Sequence, residues 1–462
     1  MPRSATRPFV VLLATLLGLA VTSGPAAASE PLDRNPEGGA TRPGYTMVLP
    51  ELAPLVAGGA PTRVLTGVTR NAGYAIEVPA RWNGELVMWA HGYRGNGPEL
   101  TVDAPAFGLR ERFVEQGYAW AASSYDRNGY DVASGVRSTR ALAEQFGELV
   151  GKPGRTYVAG VSMGGHVIAR SLEENPGFYD GALPMCGVLG DHELFDYLLD
   201  HQLAAEALAG VRAYPPPPDY ASTVLPAVYA GLGLAPNDPA VTTPAAQQLR
   251  AATVLDSGGV RPGAEASYSF WKDFLFQLGV PDASPTPVNG VAADPGLVAT
   301  NLHTDYAPDV PVDIDAVVQR VPPAAPDVRE SRRLTPVAQV QGRPRVPVLS
   351  MHNLGDLFVP FSMEQIYAGE VADAGRAELL VQRAIRATGH CEFSAMEAGT
   401  AWDDLVTWVE RGDRPDGDRV TDAAAVADPA FGCRFSDPAA YAAAGPVSQQ
   451  DTRRLYEACP RP

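Results

Sequence analysis

The chain has 462 residues with 36 basic and 53 acidic side chains, which give a formal net charge of −17. A surface this acidic repels phosphate backbones, so nucleic acid is excluded as an expected partner. The length exceeds one average domain and is sufficient to bury a large core.

The N-terminus has the pattern of a secretory signal peptide. Arg3 and Arg7 form a basic start, residues 9–21 are almost wholly apolar, and Ala26-Ala27-Ala28 offers a small-residue cleavage site. The apolar run is shorter than the roughly 20 residues that a membrane helix needs. We therefore expect residues 1–28 to be removed near Ala28, and the mature protein to be secreted without a membrane span.

After a lead-in rich in Pro, Gly and Ala (residues 29–60), strand and helix patterns alternate along the chain. Strand patterns occur at residues 64–68, 74–78, 85–90, 118–124, 155–159, 181–187, 346–351 and 378–385. Helical patterns occur at residues 106–116, 132–149, 166–174, 362–374 and 392–410. This alternation predicts an α/β fold with a mostly parallel central sheet covered by helices on both faces.

The alternation is interrupted by a gap of about 150 residues, which is too long for a bare loop in a compact domain. The gap contains several helical stretches, so we expect residues 191–340 to form a helical cap inserted between core segments 29–190 and 341–411. Aromatic side chains in this segment, among them Tyr268 and Phe274, either line a substrate pocket or fill the core of the cap. Residues 412–462 predict a polar tail.

Gly160-Val161-Ser162-Met163-Gly164 lies between a predicted strand and a predicted helix. A G-x-S-x-G sequence in this setting is typical of a nucleophile elbow, a turn so tight that only glycines avoid clashes at its flanks. Such a turn lifts the serine oxygen clear of the sheet. We therefore predict that Ser162 is a nucleophile. The alternative is a glycine-rich turn that closes an ordinary βα unit.

A serine hydroxyl needs a base, and the base needs an orienting acid. Asp356 stands in the turn after the strand at 346–351, and His390 stands in the loop after the strand at 378–385. Alone, Asp356 could be a turn residue and His390 a surface histidine. Together with Ser162, at three strand ends and in the order serine, acid, histidine, they predict a catalytic triad.

These motifs resemble those of the α/β-hydrolase superfamily. The G-D-x-x-V-P pattern at residues 355–360 and the G-H pattern at Gly389-His390 are both similar to the family's, and the resemblance covers roughly residues 64–190 and 345–410. It implies the α/β-hydrolase fold with Ser162 as nucleophile. No metal-ligand or cofactor motif accompanies it, so we expect neither a cofactor nor a metal.

The resemblance also implies the position of an oxyanion hole. One donor is the backbone N–H of Met163, which follows the nucleophile, and the second is that of Tyr93, which follows the His91-Gly92 pair. The loop departs from the H-G-G-G variant, which leaves open which of its N–H groups is directed inward. His91, His166 and His352 are expected to be structural.

The cysteines are Cys186, Cys391, Cys433 and Cys459, and none has C-x-x-C spacing. Export to an oxidising compartment favours disulfides. As in some exported esterases, a disulfide at Cys391 would fix the histidine loop, with Cys433 as one candidate partner. Alternatively, Cys433 and Cys459 pair with each other and staple the tail.

The leading functional interpretation is a secreted serine hydrolase that cleaves carboxylic esters, in small molecules or polymers, through an acyl-enzyme. A peptidase or aminopeptidase of the same fold is the alternative, and it would need a carboxylate in the cap to hold a substrate amine. A non-catalytic binding protein on a hydrolase scaffold is a third hypothesis. The presence of serine, acid and histidine together argues against it.

Overall fold

The structure is a computed structural model that describes residues 40–277, 290–449 and 451–459. The predicted signal peptide lies outside these residues. Within the described part of the chain, no helix combines the length and the apolar character needed to cross a bilayer.

The strands are β1 (Thr46–Val48), β2 (Val56–Ala57), β3 (Ala60–Pro61), β4 (Arg63–Thr69), β5 (Ala72–Val78), β6 (Leu86–Ala90), β7 (Glu99–Thr101), β8 (Ala119–Ser123), β9 (Thr156–Val161), β10 (Gly181–Met185), β11 (Val348–Asn353) and β12 (Leu380–Ile385). The α-helices are α1 (Leu109–Glu115), α2 (Val132–Leu149), α3 (Met163–Glu174), α4 (Glu193–Ala209), α5 (Leu225–Leu232), α6 (Pro244–Asp256), α7 (Ala264–Gln277), α8 (Ile314–Val317), α9 (Pro326–Arg329), α10 (Ser362–Asp373), α11 (Ala395–Arg411), α12 (Ala423–Val426) and α13 (Pro438–Ala443).

The central sheet has eight strands in the order β12-β11-β10-β9-β6-β8-β5-β4. β5 runs antiparallel to both of its neighbours, and the remaining neighbours are parallel. Alternate residues of one strand face opposite sides, so that Val158 belongs to the hydrophobic cluster that contains α2 and α3, and Tyr157 to the cluster that contains α1 and α11. This arrangement, with Ser162 between β9 and α3, is the α/β-hydrolase fold and confirms the predicted fold class.

Several element boundaries differ by a few residues from the sequence patterns, and at α11 the cause is local. α11 begins at Ala395 rather than near residue 392, because the Ser394 side chain caps it and accepts the N–H of Glu397, whose carboxylate in turn accepts the N–H of Ser394. The lead-in at residues 29–60 contains a paired strand, since β1 pairs in parallel with β7.

Helices α4 to α9 lie between β10 and β11, in the segment predicted to form a cap. Their apolar side chains, such as Leu203 and Tyr268, belong to the same continuous hydrophobic cluster as the sheet residue Val158. The segment therefore belongs to the same hydrophobic core as the sheet face that contains Val158. The division at residues 190 and 340 stays a prediction.

The tail is packed rather than extended. Val420, Val426, Phe431 and Tyr456 form a small buried cluster with Leu354 and other residues near β11 and β12. A disulfide joins Cys433 to Cys459. This is the pairing in which the tail is stapled to itself.

Gly160 in β9 lies opposite Ala90 in β6 and packs directly against it. A side-chain carbon there would lie 2.8 Å from Cβ of Ala90 and would overlap the Ala90 carbonyl. We expect Gly160→Ala to destabilise the fold by about 3 kcal/mol, because neither strand can move aside without breaking the sheet. In Gly147→Ala the new methyl group meets nothing within 4 Å, so this helical control is expected to gain about 1 kcal/mol. Chemical denaturation measures both, and equal stabilities would contradict the packing described.

Asp200 on α4 is a buried carboxyl that accepts hydrogen bonds from the Tyr306 hydroxyl at 2.6 Å and the Thr304 hydroxyl at 2.9 Å. Burial, reinforced by the nearby charge of Asp256, raises the pKa of Asp200 to about 8. The folded protein therefore holds this proton over a range in which the unfolded chain releases it. The contribution of Asp200 to the unfolding free energy should therefore fall as the pH rises from about 4 to about 8, by up to about 1.4 kcal/mol per pH unit.

Comparison of the wild type with Asp200→Asn isolates this contribution. Denaturation across this pH range should show that the unfolding free energy of Asp200→Asn depends less steeply on pH than that of the wild type. Asp219→Asn, at an exposed position between β10 and β11, should follow the wild type. Parallel curves for wild type and Asp200→Asn would show that Asp200 does not keep its proton on folding.

Candidate active site

Ser162 occupies a strained turn between β9 and α3. Its backbone has φ 56° and ψ −125°, and α3 begins at the next residue. A non-glycine residue in such a conformation costs about 1–3 kcal/mol and persists only where its surroundings enforce it. Here the Ser162 carbonyl accepts the N–H groups of Gly165 at 2.8 Å and Val188 at 3.2 Å. The turn thus presents Oγ at the end of the sheet, as the G-x-S-x-G pattern indicates.

The three residues predicted to form a triad lie in one hydrogen-bonded line. His390 Nε2 is 2.9 Å from Ser162 Oγ, and His390 Nδ1 is 2.6 Å from Asp356 Oδ2. Because the carboxylate accepts the Nδ1–H, Nε2 of the neutral ring is left as an acceptor for the serine hydroxyl. The structure therefore brings all three side chains together in the geometry that proton transfer requires.

Asp356 is wholly buried and is held by its own turn. Its second oxygen, Oδ1, accepts the backbone N–H groups of Phe358 at 2.9 Å and Val359 at 3.1 Å. A buried carboxylate is stable only when hydrogen-bond donors surround it. These two contacts, together with His390, supply the donors.

Sheet topology explains why these distant residues meet. Ser162 follows β9, Asp356 follows β11 and His390 follows β12. β11 and β12 are parallel neighbours, with Asn353 opposite Ile385. The carboxyl ends of parallel strands share one edge of the sheet, where active sites of open α/β folds lie.

The His390 loop is fixed by a disulfide between Cys391 and Cys186, the residue directly after β10. The alternative in which Cys391 pairs with Cys433 is therefore wrong. Both bonded cysteines follow strands that end at the same edge of the sheet, which is the signal that could have identified the pair. Cys391 Sγ lies 3.4 Å from His390 Nε2, so the bridge adjoins the nitrogen that faces Ser162 Oγ.

Asn353, at the end of β11, fixes the other side of this loop. Its amide donates to the carbonyl of Glu392 at 2.8 Å and accepts the Glu392 N–H at 3.0 Å. The side chain thus imitates a strand partner for one residue of the loop. Sequence reasoning assigned no role to Asn353, because its partner is 39 positions away.

The two predicted oxyanion donors adjoin Ser162. Met163 is the first residue of α3, where N–H groups have no acceptor within the helix. Gly92 passes directly beside Ser162, since a side-chain carbon there would lie 3.0 Å from Cβ of Ser162, and Tyr93 follows it. The backbone of both segments is thus close to Ser162, and their role as donors stays a prediction.

The other core histidines make structural contacts. His91 stacks on Tyr125 with ring centroids 3.9 Å apart, and burial lowers its pKa to about 3, so that it stays neutral. His166 lies between the Tyr130 hydroxyl at 2.9 Å and the Ala338 carbonyl at 2.6 Å. His352 Nε2 lies 2.8 Å from the Val359 carbonyl.

Helix α7 reaches the site from the segment between β10 and β11. Trp271 Nε1 donates to the Thr388 carbonyl at 2.8 Å. Phe274 meets Phe358, which in turn stands edge-on to His390, with centroid separations of 4.9 Å and 5.0 Å. Phe274 and Phe358 are partly exposed, whereas Tyr268 is wholly buried. Tyr268 therefore fills the core of this segment, whereas a substrate pocket lined by Phe274 stays a prediction.

Within the described residues, two groups of side chains are dense enough to hold a metal ion: His192, Glu193 and Asp196, and Asp309, Asp313 and Asp315. Both oxygens of Asp196 are taken by Arg329, at 2.8 Å and 2.7 Å. Neither group includes a member of the Ser162–His390–Asp356 line.

No protein-family model matches the chain. An o-phthalyl amidase from Xanthobacter agilis is 24% identical over 402 residues, which are 74% of this chain and 86% of that protein. Feruloyl esterase B from Aspergillus oryzae aligns with TM-score 0.44 and 15% identity, over 78% of this chain and 83% of the other. Candida antarctica lipase A in its closed state aligns with TM-score 0.39 and 13% identity, over 77% and 78%. All of these values are low, so similarity alone transfers no activity.

Removal of the bridge beside His390 tests how far this loop depends on it. The variant Cys186→Ala/Cys391→Ala should lose about 4 kcal/mol of stability, because the disulfide closes a loop of 205 residues. Any turnover that depends on His390 should fall about tenfold, since small displacements of a catalytic group are costly. Steady-state kinetics below the unfolding temperature of the variant measure this fall.

Peptide mapping of the unreduced wild type is the control for the pairing itself. It should recover Cys186 linked to Cys391, and Cys433 linked to Cys459. A free Cys391, or wild-type turnover in the double variant, would contradict the role given to the bridge.

Proposed function

We propose that this protein of the α/β-hydrolase fold is a serine hydrolase that cleaves carboxylic esters through an acyl-enzyme. The observation that carries the proposal is the hydrogen-bonded line from Ser162 Oγ through His390 to Asp356, with heavy-atom distances of 2.9 Å and 2.6 Å. A buried carboxylate, an oriented imidazole and a hydroxyl on a strained turn are the components that acyl transfer by serine requires.

In the first half-reaction, Ser162 Oγ attacks the acyl carbonyl carbon while His390 Nε2 takes the hydroxyl proton. The carbonyl oxygen becomes an oxyanion, and the N–H groups of Met163 and Tyr93 are the donors proposed to stabilise it. As the tetrahedral intermediate collapses, His390 gives its proton to the leaving alkoxide. An alcohol leaves, and the acyl group stays on Ser162.

Water completes the cycle with the same groups. His390 removes a proton from water as the oxygen attacks the acyl carbonyl, and then returns a proton to Ser162 Oγ as the carboxylic acid is released. Asp356 holds the ring in the required tautomer and stabilises the imidazolium formed in each half-reaction. The two N–H donors on Asp356 Oδ1 keep the carboxylate aimed at Nδ1.

Amide hydrolysis is the second candidate, and the similarity to an o-phthalyl amidase favours it. The same residues would serve, but His390 would have to protonate the leaving nitrogen before the C–N bond breaks. A peptidase or aminopeptidase is one form of this candidate. A non-catalytic binding protein would need none of the proton-transfer geometry.

We further infer that the protein is exported. The N-terminal pattern of a signal peptide supports this, as do the two disulfides among the described residues, since such bonds persist in oxidising compartments. The expected substrates are therefore ester-containing small molecules or polymers outside the cell.

The test compares ester and amide turnover in the wild type and Ser162→Ala. With p-nitrophenyl esters, loss of the nucleophile should lower kcat about a thousandfold or more. Ser171→Ala, at a buried position of the same helix, is the matched control and should keep wild-type turnover.

Two outcomes would change the assignment. Full activity in Ser162→Ala would exclude this mechanism. A preference for aryl amides over the matching esters would replace the esterase by the amidase.

A further inference from the structure

A single hydroxyl in the C-terminal tail holds the backbone that leads into His390. Thr452 Oγ1 accepts the N–H of Thr388 at 2.6 Å and the N–H of Gly389 at 2.9 Å, and donates to the Glu392 carboxylate at 2.6 Å. Thr452 is wholly buried. The hydroxyl thus uses both of its acceptor positions and its one donor. Its partners are residues 388 and 389 before His390 and residue 392 after it.

The tail presents Thr452 from a fixed position. The next residue, Arg453, forms a bidentate ion pair with the buried carboxylate of Glu397 in α11, at 2.8 Å and 2.7 Å. The Tyr456 hydroxyl donates to the Ala387 carbonyl at 3.2 Å. The Cys433–Cys459 disulfide closes the same segment. These contacts surround Thr452, so its hydroxyl has little freedom to follow a shifting loop.

Packing at Gly355, the residue before Asp356, shows that four segments meet without spare room. A side-chain carbon there would lie 2.6 Å from the Tyr456 hydroxyl of the tail, and would overlap the hydroxyls of Ser267 in α7 and Thr388 in the histidine loop. The acid turn, the histidine loop, α7 and the tail are therefore in mutual contact.

The other anchors of the loop act at different atoms. The disulfide holds residue 391, Asn353 holds the backbone of residue 392, and Trp271 holds the carbonyl of residue 388. Among the described contacts, those of Thr452 are the ones that engage the N–H groups of residues 388 and 389. Without that hydroxyl, two buried N–H groups and the partly buried Glu392 carboxylate lose a partner, which the loop can relieve only by moving.

We propose that Thr452 is a positioning residue for catalysis, and that the tail thereby belongs to the catalytic apparatus. This inference rests on the proposed function of His390 as the base. The Thr452 hydroxyl fixes the position of the backbone at Thr388 and Gly389. It thereby sets the distance from His390 Nε2 to Ser162 Oγ. A displacement of about 1 Å at such a site costs on the order of a hundredfold in rate.

The experiment measures kcat, KM and thermal unfolding for Thr452→Val, Thr452→Ala and Thr452→Ser in the full chain, with a p-nitrophenyl ester. Thr452→Val keeps the shape of the side chain and removes the hydroxyl. Thr452→Ala also removes the hydroxyl, and its smaller side chain carries less risk of a steric clash. Both should lower kcat about tenfold or more with KM within about twofold, because the substrate pocket is intact while the base is displaced. Thr452→Ser restores the hydroxyl and should recover most of kcat.

Thr62 provides the matched control. Its buried hydroxyl accepts the N–H of Leu55 at 2.9 Å and donates to the Glu77 carboxylate at 2.5 Å, a pattern similar to that of Thr452. It lies beside β4, away from the three strand ends of the site. Thr62→Val should lose comparable thermal stability but keep wild-type kcat.

The inference is overturned if Thr452→Val and Thr452→Ala turn over like the wild type below their unfolding temperatures. An equal loss of kcat in Thr62→Val would also overturn it, because the loss would then follow from lower stability in general. Failure of Thr452→Ser to recover activity would overturn it as well, because the hydroxyl would then not be the cause. These outcomes are separate from failure of the proposed function. Ser162→Ala retaining activity would remove the serine mechanism itself, whatever the Thr452 variants do.

Discussion

The contact on which the site depends is the one between His390 and the buried carboxylate of Asp356. A carboxylate without solvent exposure has to be matched by donors, and here they are His390 Nδ1 at 2.6 Å and two N–H groups of its own turn. The same contact selects the tautomer that leaves Nε2 facing Ser162. Burial of one acid therefore determines the geometry of the base, and through it the reactivity expected of the serine.

Keeping His390 in that contact requires a loop with little freedom, and the protein anchors it from several parts of the chain. Cys186, directly after β10, contributes the disulfide, β11 contributes Asn353, and the tail contributes Thr452. Helix α7 adds Trp271. The segment between β10 and β11 and the C-terminal tail thus contact the His390 loop as well as the sheet.

The sheet and the three central residues could be predicted from sequence because their signals are local. The elbow at Ser162 is a contiguous pattern, and Asp356 and His390 each lie within a few residues of the end of an apolar run that forms a strand. Thr452 carries no such signal, since its importance comes from two N–H groups more than 60 positions away. The partner of Cys391 was missed for a related reason: it follows from the order of strands in the sheet, which alternation alone does not specify.

Covalent labelling of the mature protein with a fluorophosphonate probe, followed by peptide mass spectrometry, tests the central claim most directly. Such a probe reacts much faster with a serine whose hydroxyl is activated by a neighbouring base than with an ordinary serine. The account predicts one equivalent of label on Ser162, with labelling slowed strongly in His390→Ala. Labelling of a different serine, or equally rapid labelling of Ser162 without His390, would contradict it.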